Sequence, residues 1–366
     1  MNIIFVLIIF TTIVLVHELG HFWAARRAGI KVEEFSIGMG PRLLKFKKGE
    51  TLYSLKLFPI GGSCRMLGEE YDEEGKEMEQ NPRSFNAASR GWRAVVLIGG
   101  AALNIAFALI IAVIVALFRF DTDPVVSTID ESSPFYIAGA EVGDRITHID
   151  GRRIRVSGDV QLALLRSDGS PIEVTVDRGG ESYTLTTTPF RNEADTRWMI
   201  GFGMGTVFGV FSDIPEGWAE QGGVRQLGFF ESVGAGAQNL GFVVRATFTA
   251  IGRLFTHGIG ELMGPIGMVD VVGGDLSDIA TEHGFAATFW PIMHFTMFLS
   301  VSLGILNLMP IPALDGGRLV FLAVESIRKK ALSPELEGKI NLAGFVLMMG
   351  LILLVAFNDI QRIFSS

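Results

Sequence analysis

The sequence has little cysteine: Cys64 alone in 366 residues, so no disulfide within the chain can hold its fold. Charge is also scarce. Asp, Glu, Lys and Arg make up 19% of the residues, where soluble domains carry about a quarter. The balance is acidic, at −8, which excludes the basic face of a nucleic-acid binder. Apolar sequence is plentiful, at 49% hydrophobic with a mean hydropathy of +0.39. This describes a membrane protein carrying some soluble mass. The N-terminal apolar run lacks a basic residue before it and a small-residue cleavage site after it. It reads as a retained span and not as a removed signal.

Histidine is scarce too, at six, yet two stand four apart in Val16-His17-Glu18-Leu19-Gly20-His21. With 3.6 residues to a helical turn, His17 and His21 share one face and can share one metal. The donor types favour zinc. Glu18 follows the first histidine and need not be a ligand, so it can act as general base toward an attacking water. The run from Ile3 to Val16 carries no charge. The metal motif therefore belongs to a membrane helix.

Residues 1–25 make the first span, close to the ~20 residues that cross a bilayer. Arg26, Arg27 and Lys31 follow, which sets this end in the cytoplasm by the positive-inside rule. Residues 26–91 read as a cytoplasmic-side loop with a membrane-associated β segment, in which Thr51–Leu57 alternates like a half-buried strand and Gly61-Gly62 breaks it. Such a segment is either a plain hairpin or a surface that pairs with an unfolded substrate. Residues 92–119 are a second span, with Gly99-Gly100 and Asn104 inside it. Asn104 either bonds a neighbouring helix or supports the metal site. Residues 120–192 form a soluble β-rich module on the outer side. There Gly143-Asp144 and Asp150-Gly151 bracket a short strand, and the stretch resembles the G-D-x-I-x-x-I-D-G signature of a PDZ domain. His148 within it is assigned a structural role. Residues 193–284 are a linker with an amphipathic helix lying on the membrane, 285–318 a third span, 319–339 a cytoplasmic loop and 340–362 a fourth span.

The third span ends in Asn307-Leu308-Met309-Pro310-Ile311-Pro312-Ala313-Leu314-Asp315-Gly316-Gly317. Irregular backbone at membrane depth is tolerated only inside protein or beside water, and a carboxylate there points to function. A catalytic zinc takes three protein ligands and keeps one position open. With four spans, the first and third both run inward, so Asp315 reaches the leaflet of His17 and His21, where it either supplies the third ligand or sits in an ordinary turn after the helix. Asn307, about two turns earlier, either holds substrate or an oxyanion, or caps the helix.

The chain resembles the site-2 proteases of the bacterial regulator-of-sigma type, which are intramembrane zinc metalloproteases. The resemblance rests on H-E-L-G-H, F-S-I-G-M-G-P, G-G-x-x-x-N, one PDZ-like module, G-P-I-G and N-x-x-P-x-P-x-L-D-G in that order. It implies an α-helical polytopic protein of the bacterial inner membrane, with an extracytoplasmic PDZ domain and an active site near the cytoplasmic leaflet. It implies Zn2+ on His17, His21 and Asp315, Glu18 as base, and Asn104 and Asn307 holding the substrate strand. Substrates of the family are single-span proteins such as anti-sigma factors, already cut by a site-1 protease, or remnant signal peptides. A peptide segment would bind the PDZ domain. Relatives with two tandem PDZ domains exist, and this chain has room for one. Two other classes fit a membrane protein with a metal motif. A membrane scaffold would need a fourth protein ligand on a structural zinc, and an ion transporter would show inverted repeats or paired broken helices. The sequence offers neither.

Overall fold

The structure is a computed structural model that describes residues 2–68, 81–118, 121–122, 124–192, 195–204, 224–225, 227–257, 288–330 and 332–365. In chain order the elements begin with α1 (Asn2–Arg27), β1 (Val32–Lys48), β2 (Thr51–Met66), α2 (Arg90–Phe118) and β3 (Asp121–Thr122). There follow β4 (Val126–Ile129), α3 (Pro134–Ile137), β5 (Arg145–Ile149), β6 (Arg152–Arg153), α4 (Ser157–Leu164), β7 (Ile172–Arg178) and β8 (Glu181–Thr187). The remainder are β9 (Phe190–Asn192), β10 (Asp195–Met199), β11 (Phe202–Met204), β12 (Val224–Arg225), α5 (Phe229–His257), α6 (Phe289–Leu308), α7 (Asp315–Arg328) and α8 (Pro334–Ser365). Four of these helices are long and apolar enough to cross a membrane: Val6–Arg27, Arg90–Phe118, Phe289–Leu308 and Glu335–Gln361. They overlap the four stretches expected from the sequence, except that the third helix ends at Leu308 and Asp315 opens a separate helix, and they make a multi-pass membrane protein. The amphipathic stretch of residues 227–272 carries α5, which is not among the four. The Gly264-Pro265-Ile266-Gly267 turn lies outside the described residues.

The chain divides into two compact units, Met1–Ala108 with Thr247–Ser366, and Leu109–Ala246. In the first unit, α1 and α2 meet backbone to backbone. A Cβ on Gly99 would lie 2.8 Å from the Gly20 carbonyl oxygen, and one on Gly20 would run into the Gly99 carbonyl. Side chains at the contact would hold the helices apart, and in lipid such close packing replaces the hydrophobic drive of water. α6 closes on α2 the same way: Ser300 Oγ donates to the Asn104 carbonyl at 2.9 Å, and a Cβ on Gly304 would sit 3.2 Å from the Ala101 carbonyl. At the far end of α7, Glu325 accepts from Arg90 Nε at 3.1 Å and Arg93 Nη1 at 2.9 Å. Burial pushes the Glu325 carboxyl up, but the two guanidinium groups outweigh it and hold it down.

The β segment differs from a simple hairpin. Lys48 pairs with Thr51 and the ladder runs back to Arg42 with Lys56. Both strands then bend, at Gly38 and Gly40 (φ +84° and +91°) and at Gly61 (φ +81°). Residues 32–37 return to pair with 51–55 on one side and with 62–66 on the other. The sequence expectation that Gly61-Gly62 ends the strand is corrected: β2 turns there and continues to Met66. Cys64 is buried in this last segment, in one apolar cluster with Phe22, Phe35 and Val96.

The second unit is a small β-rich domain. Its main sheet has the order β6-β5-β7-β8, and β11 pairs with β4, which carries the unit past the boundary at 192 drawn from sequence. Phe135, Ile146, Ile149, Val174, Val176 and Ile200 fill its core. The expected hairpin forms at Asp150-Gly151, both left-handed (φ +46° and +70°). The Gly143-Asp144 turn is pinned by Arg178, whose Nε and Nη2 donate to the fully buried Asp144 carboxylate at 2.6 and 2.8 Å. His148 bonds its neighbour Thr147.

Glu34 anchors the β segment. Arg42 donates to it through Nε at 2.8 Å and Nη2 at 2.7 Å, and Ser54 Oγ donates at 2.7 Å. The Arg42 hydrogen bonds hold the carboxyl down at about 2, against an ordinary 4.5. A carboxyl depressed in the folded state stabilises fully above its unfolded value, and that contribution is lost as pH falls through the folded value. Lowering the pH from about 5 to about 2 is therefore expected to drop the thermal midpoint of wild type more than that of Glu34→Gln, measured by thermal unfolding of the detergent-purified proteins.

Candidate metal centre

His17 and His21 lie on the buried face of α1, beside Gly100 of α2. A Cβ on Gly100 would stand 2.5 Å from His21 Nε2 and 2.8 Å from His17 Nε2, so only glycine leaves the imidazoles their place. His21 Nδ1–H donates to the Val96 carbonyl at 2.8 Å, which fixes the tautomer and leaves the Nε2 lone pair facing inward. His17 Nδ1 is buried with no hydrogen-bond partner among the described residues.

Asp315 opens α7 and brings its carboxylate to the same point. Its Oδ2 is 3.2 Å from both His17 Nε2 and His21 Nε2, and the two nitrogens are 3.1 Å apart. Three electron-rich atoms this close need a cation or a proton among them. A tetrahedral ion with ligand bonds of about 2.0–2.2 Å sets its ligands about 3.3–3.5 Å apart, so the triangle fits such an ion closely. Among the described residues this is the one His, Cys, Asp and Glu group able to hold a metal. Three donors leave room for a non-protein ligand, whereas a structural site would close the fourth position.

Glu18 sits beside the triangle. The Cys64 backbone N–H bonds its carboxylate, and a Cβ on Gly62 would lie 3.3 Å from its Cγ. The β2 segment 62–66 thus holds the carboxylate in place, a role invisible in the sequence because these residues are distant and chemically plain. These groups line a cavity of about 630 Å³, together with Asn307, Ser63, Arg65 and Arg318. Of the two asparagines singled out from sequence, Asn307 faces this cavity. Asn104 is fully buried, and its side-chain nitrogen and oxygen have no hydrogen-bond partner among the described residues. The segment 51–57 is not the open strand it resembled, since residues 51–55 are flanked on both sides; 62–66 forms an edge of the sheet and passes the centre. His294 bonds the Trp290 carbonyl in its own helix. His283 and the side chain of His257 lie outside the described residues.

A buried two-histidine, one-aspartate centre with an adjacent glutamate, built on membrane-spanning helices, defines a membrane metallopeptidase. The sequence profile of peptidase family M50 matches residues 5–351. The chain is 35% identical over 360 residues to a Clostridium perfringens protein that carries a provisional zinc-metalloprotease name, with 98% of each chain covered. It is 29% identical to the regulator of sigma-W protease RasP of Bacillus subtilis and 30% identical to the zinc metalloprotease RasP of Oceanobacillus iheyensis, again with 98% of each chain covered. The chain belongs to peptidase family M50.

Replacing Gly100 with alanine is expected to displace both imidazoles and weaken metal binding by ~10–100-fold, read as metal content and chelator competition on the purified protein.

Proposed function

We propose that the protein is a zinc-dependent intramembrane endopeptidase that cleaves a peptide bond within the transmembrane segment of single-span membrane proteins. The observation that carries this reading is the closure of the His17–His21 pair by Asp315, 298 residues further on, at the ends of apolar helices. His17, His21 and Asp315 would hold the zinc. When bound, zinc supplies Lewis acidity, polarising a peptide carbonyl and lowering the pKa of water toward about 7.

The chain's own residues supply the rest. Glu18, held by the Cys64 N–H, takes the proton of the attacking water and returns it to the leaving amine. A substrate helix hides its carbonyls in internal hydrogen bonds, so it must unwind before attack. The 62–66 segment beside Glu18 lines the cavity, where an unwound stretch would lie against it. Asn307, in the same cavity, holds the substrate backbone or a developing oxyanion, a role that the fully buried Asn104 does not share.

Arg26 and Arg27 end the first span, which favours an active site near the cytoplasmic leaflet and a β-rich module outside. The strand, hairpin and helix pattern of that module supports a PDZ-like reading, with residues 120–192 extended to include β11, serving to sense or exclude substrates. The Bacillus subtilis relative is named a regulator of sigma-W protease, which supports anti-sigma factors as the substrate class; their prior cutting by a site-1 protease is carried only by the family resemblance. Remnant signal peptides are a second source of the same chemistry.

The test is cleavage of a tagged single-span substrate co-expressed with each variant, with zinc measured on the purified proteins. Glu18→Gln is expected to keep zinc and lose about 10²–10⁴-fold in cleavage, while Asp315→Asn loses both. Equal cleavage by Glu18→Gln and wild type would assign the proteolysis to another protein.

A further inference from the structure

The fourth span, α8, contributes no ligand and is exposed along most of its length. Between residues 335 and 361 only Gly344, Val355 and Asp359 are buried. Gly344 is where α8 meets the loop that carries Asp315. A Cβ there would run into Pro312, with the Pro312 carbonyl oxygen at 2.7 Å. One turn earlier on the same face, Asn341 Oδ1 accepts the Ala313 N–H at 3.1 Å.

Ala313 is the odd residue of this loop. Its φ of +73° is left-handed, a conformation that suits glycine and strains alanine. The loop has few bonds of its own: Ile311 N–H to Met309 at 2.7 Å and Leu314 N–H to Ile311 at 3.2 Å. On its inner side the first turn of α7 presses against it, since a Cβ on Gly317 would stand 2.5 Å from the Ile311 carbonyl. The Asn341 acceptor holds the peptide plane between Pro312 and Ala313, the fixed frame from which the left-handed Ala313 turns the chain toward Asp315. Asp315 follows two residues later, so a return of Ala313 to ordinary backbone angles would swing the carboxylate away from the histidines.

We propose that Asn341 and Gly344 are positioning residues for Asp315: α8 clamps the loop at Pro312 and Ala313 and so sets the third ligand against His17 and His21. This rests on the zinc reading above. The clamp acts on metal affinity through loop conformation and touches neither substrate nor metal.

The experiment measures zinc affinity by chelator competition, with thermal midpoint, on the full-length protein in detergent. Asn341→Leu is expected to weaken zinc binding by ~10–100-fold, while Asn341→Asp, which keeps an acceptor, stays near wild type. Ala313→Gly added to Asn341→Leu is expected to restore most of the affinity, because glycine holds a positive φ without help. A general loss of folding would not be rescued by that change. The clamp is refuted if Asn341→Leu binds zinc as wild type does, or if Ala313→Gly fails to restore a lost affinity. Asp315→Asn separates the two readings. If it leaves zinc affinity unmoved, the ligand assignment falls and the clamp with it. If it abolishes affinity while Asn341→Leu does not, the clamp alone falls.

Discussion

The contact between Gly20 and Gly99 is the constraint on which the rest depends. Two helices can bring their backbones together only where neither carries a side chain, and here the contact falls between His17 and His21 in one helix and beside Gly100 in the other. The small residues that let α1 and α2 approach therefore also leave space for two imidazole rings. α6 follows the same pattern against α2 through Gly304 and Ser300, and this brings the loop after α6 to the histidines. A bilayer gives helices no hydrophobic reason to associate, so backbone contact and a few interhelical hydrogen bonds must do so.

The β segment ties the proposed base to the proposed substrate surface. Residues 62–66 line the cavity beside the histidines, and the same stretch supplies the N–H that orients Glu18 and the glycine packed against it. Glu34, Arg42 and Ser54 stiffen the sheet behind that stretch. An unwound substrate there would lie along the backbone that holds the glutamate, so binding and proton transfer share one support.

Much of this was legible in the sequence where the signal is local or topological. His17 and His21 are one turn apart, and four apolar runs suffice to return Asp315 to their side. The sheet was less legible. Alternation marked Thr51–Leu57 as a strand, but no local pattern says which segments flank it, and the bend at Gly61 resembles a stop until Ile37 is seen pairing with both Leu55 and Gly62. Of the Gly99-Gly100 pair, the first packs α2 against α1. The second glycine makes room for histidine rings, a purpose that composition cannot express. The boundary at 192 fell short because β11 is three residues long and flanked by glycine, too brief to show periodicity.

The separation of the ligands along the chain also bears on biosynthesis. His17 leaves the ribosome 298 residues before Asp315, and the helix that braces the Asp315 loop follows later still. Until α7 is made, the two histidines stand without their proposed third partner. On the proposed assignment a nascent chain cannot complete its metal centre beside the membrane proteins inserted with it. The late arrival of one aspartate acts as a safeguard written into the order of synthesis.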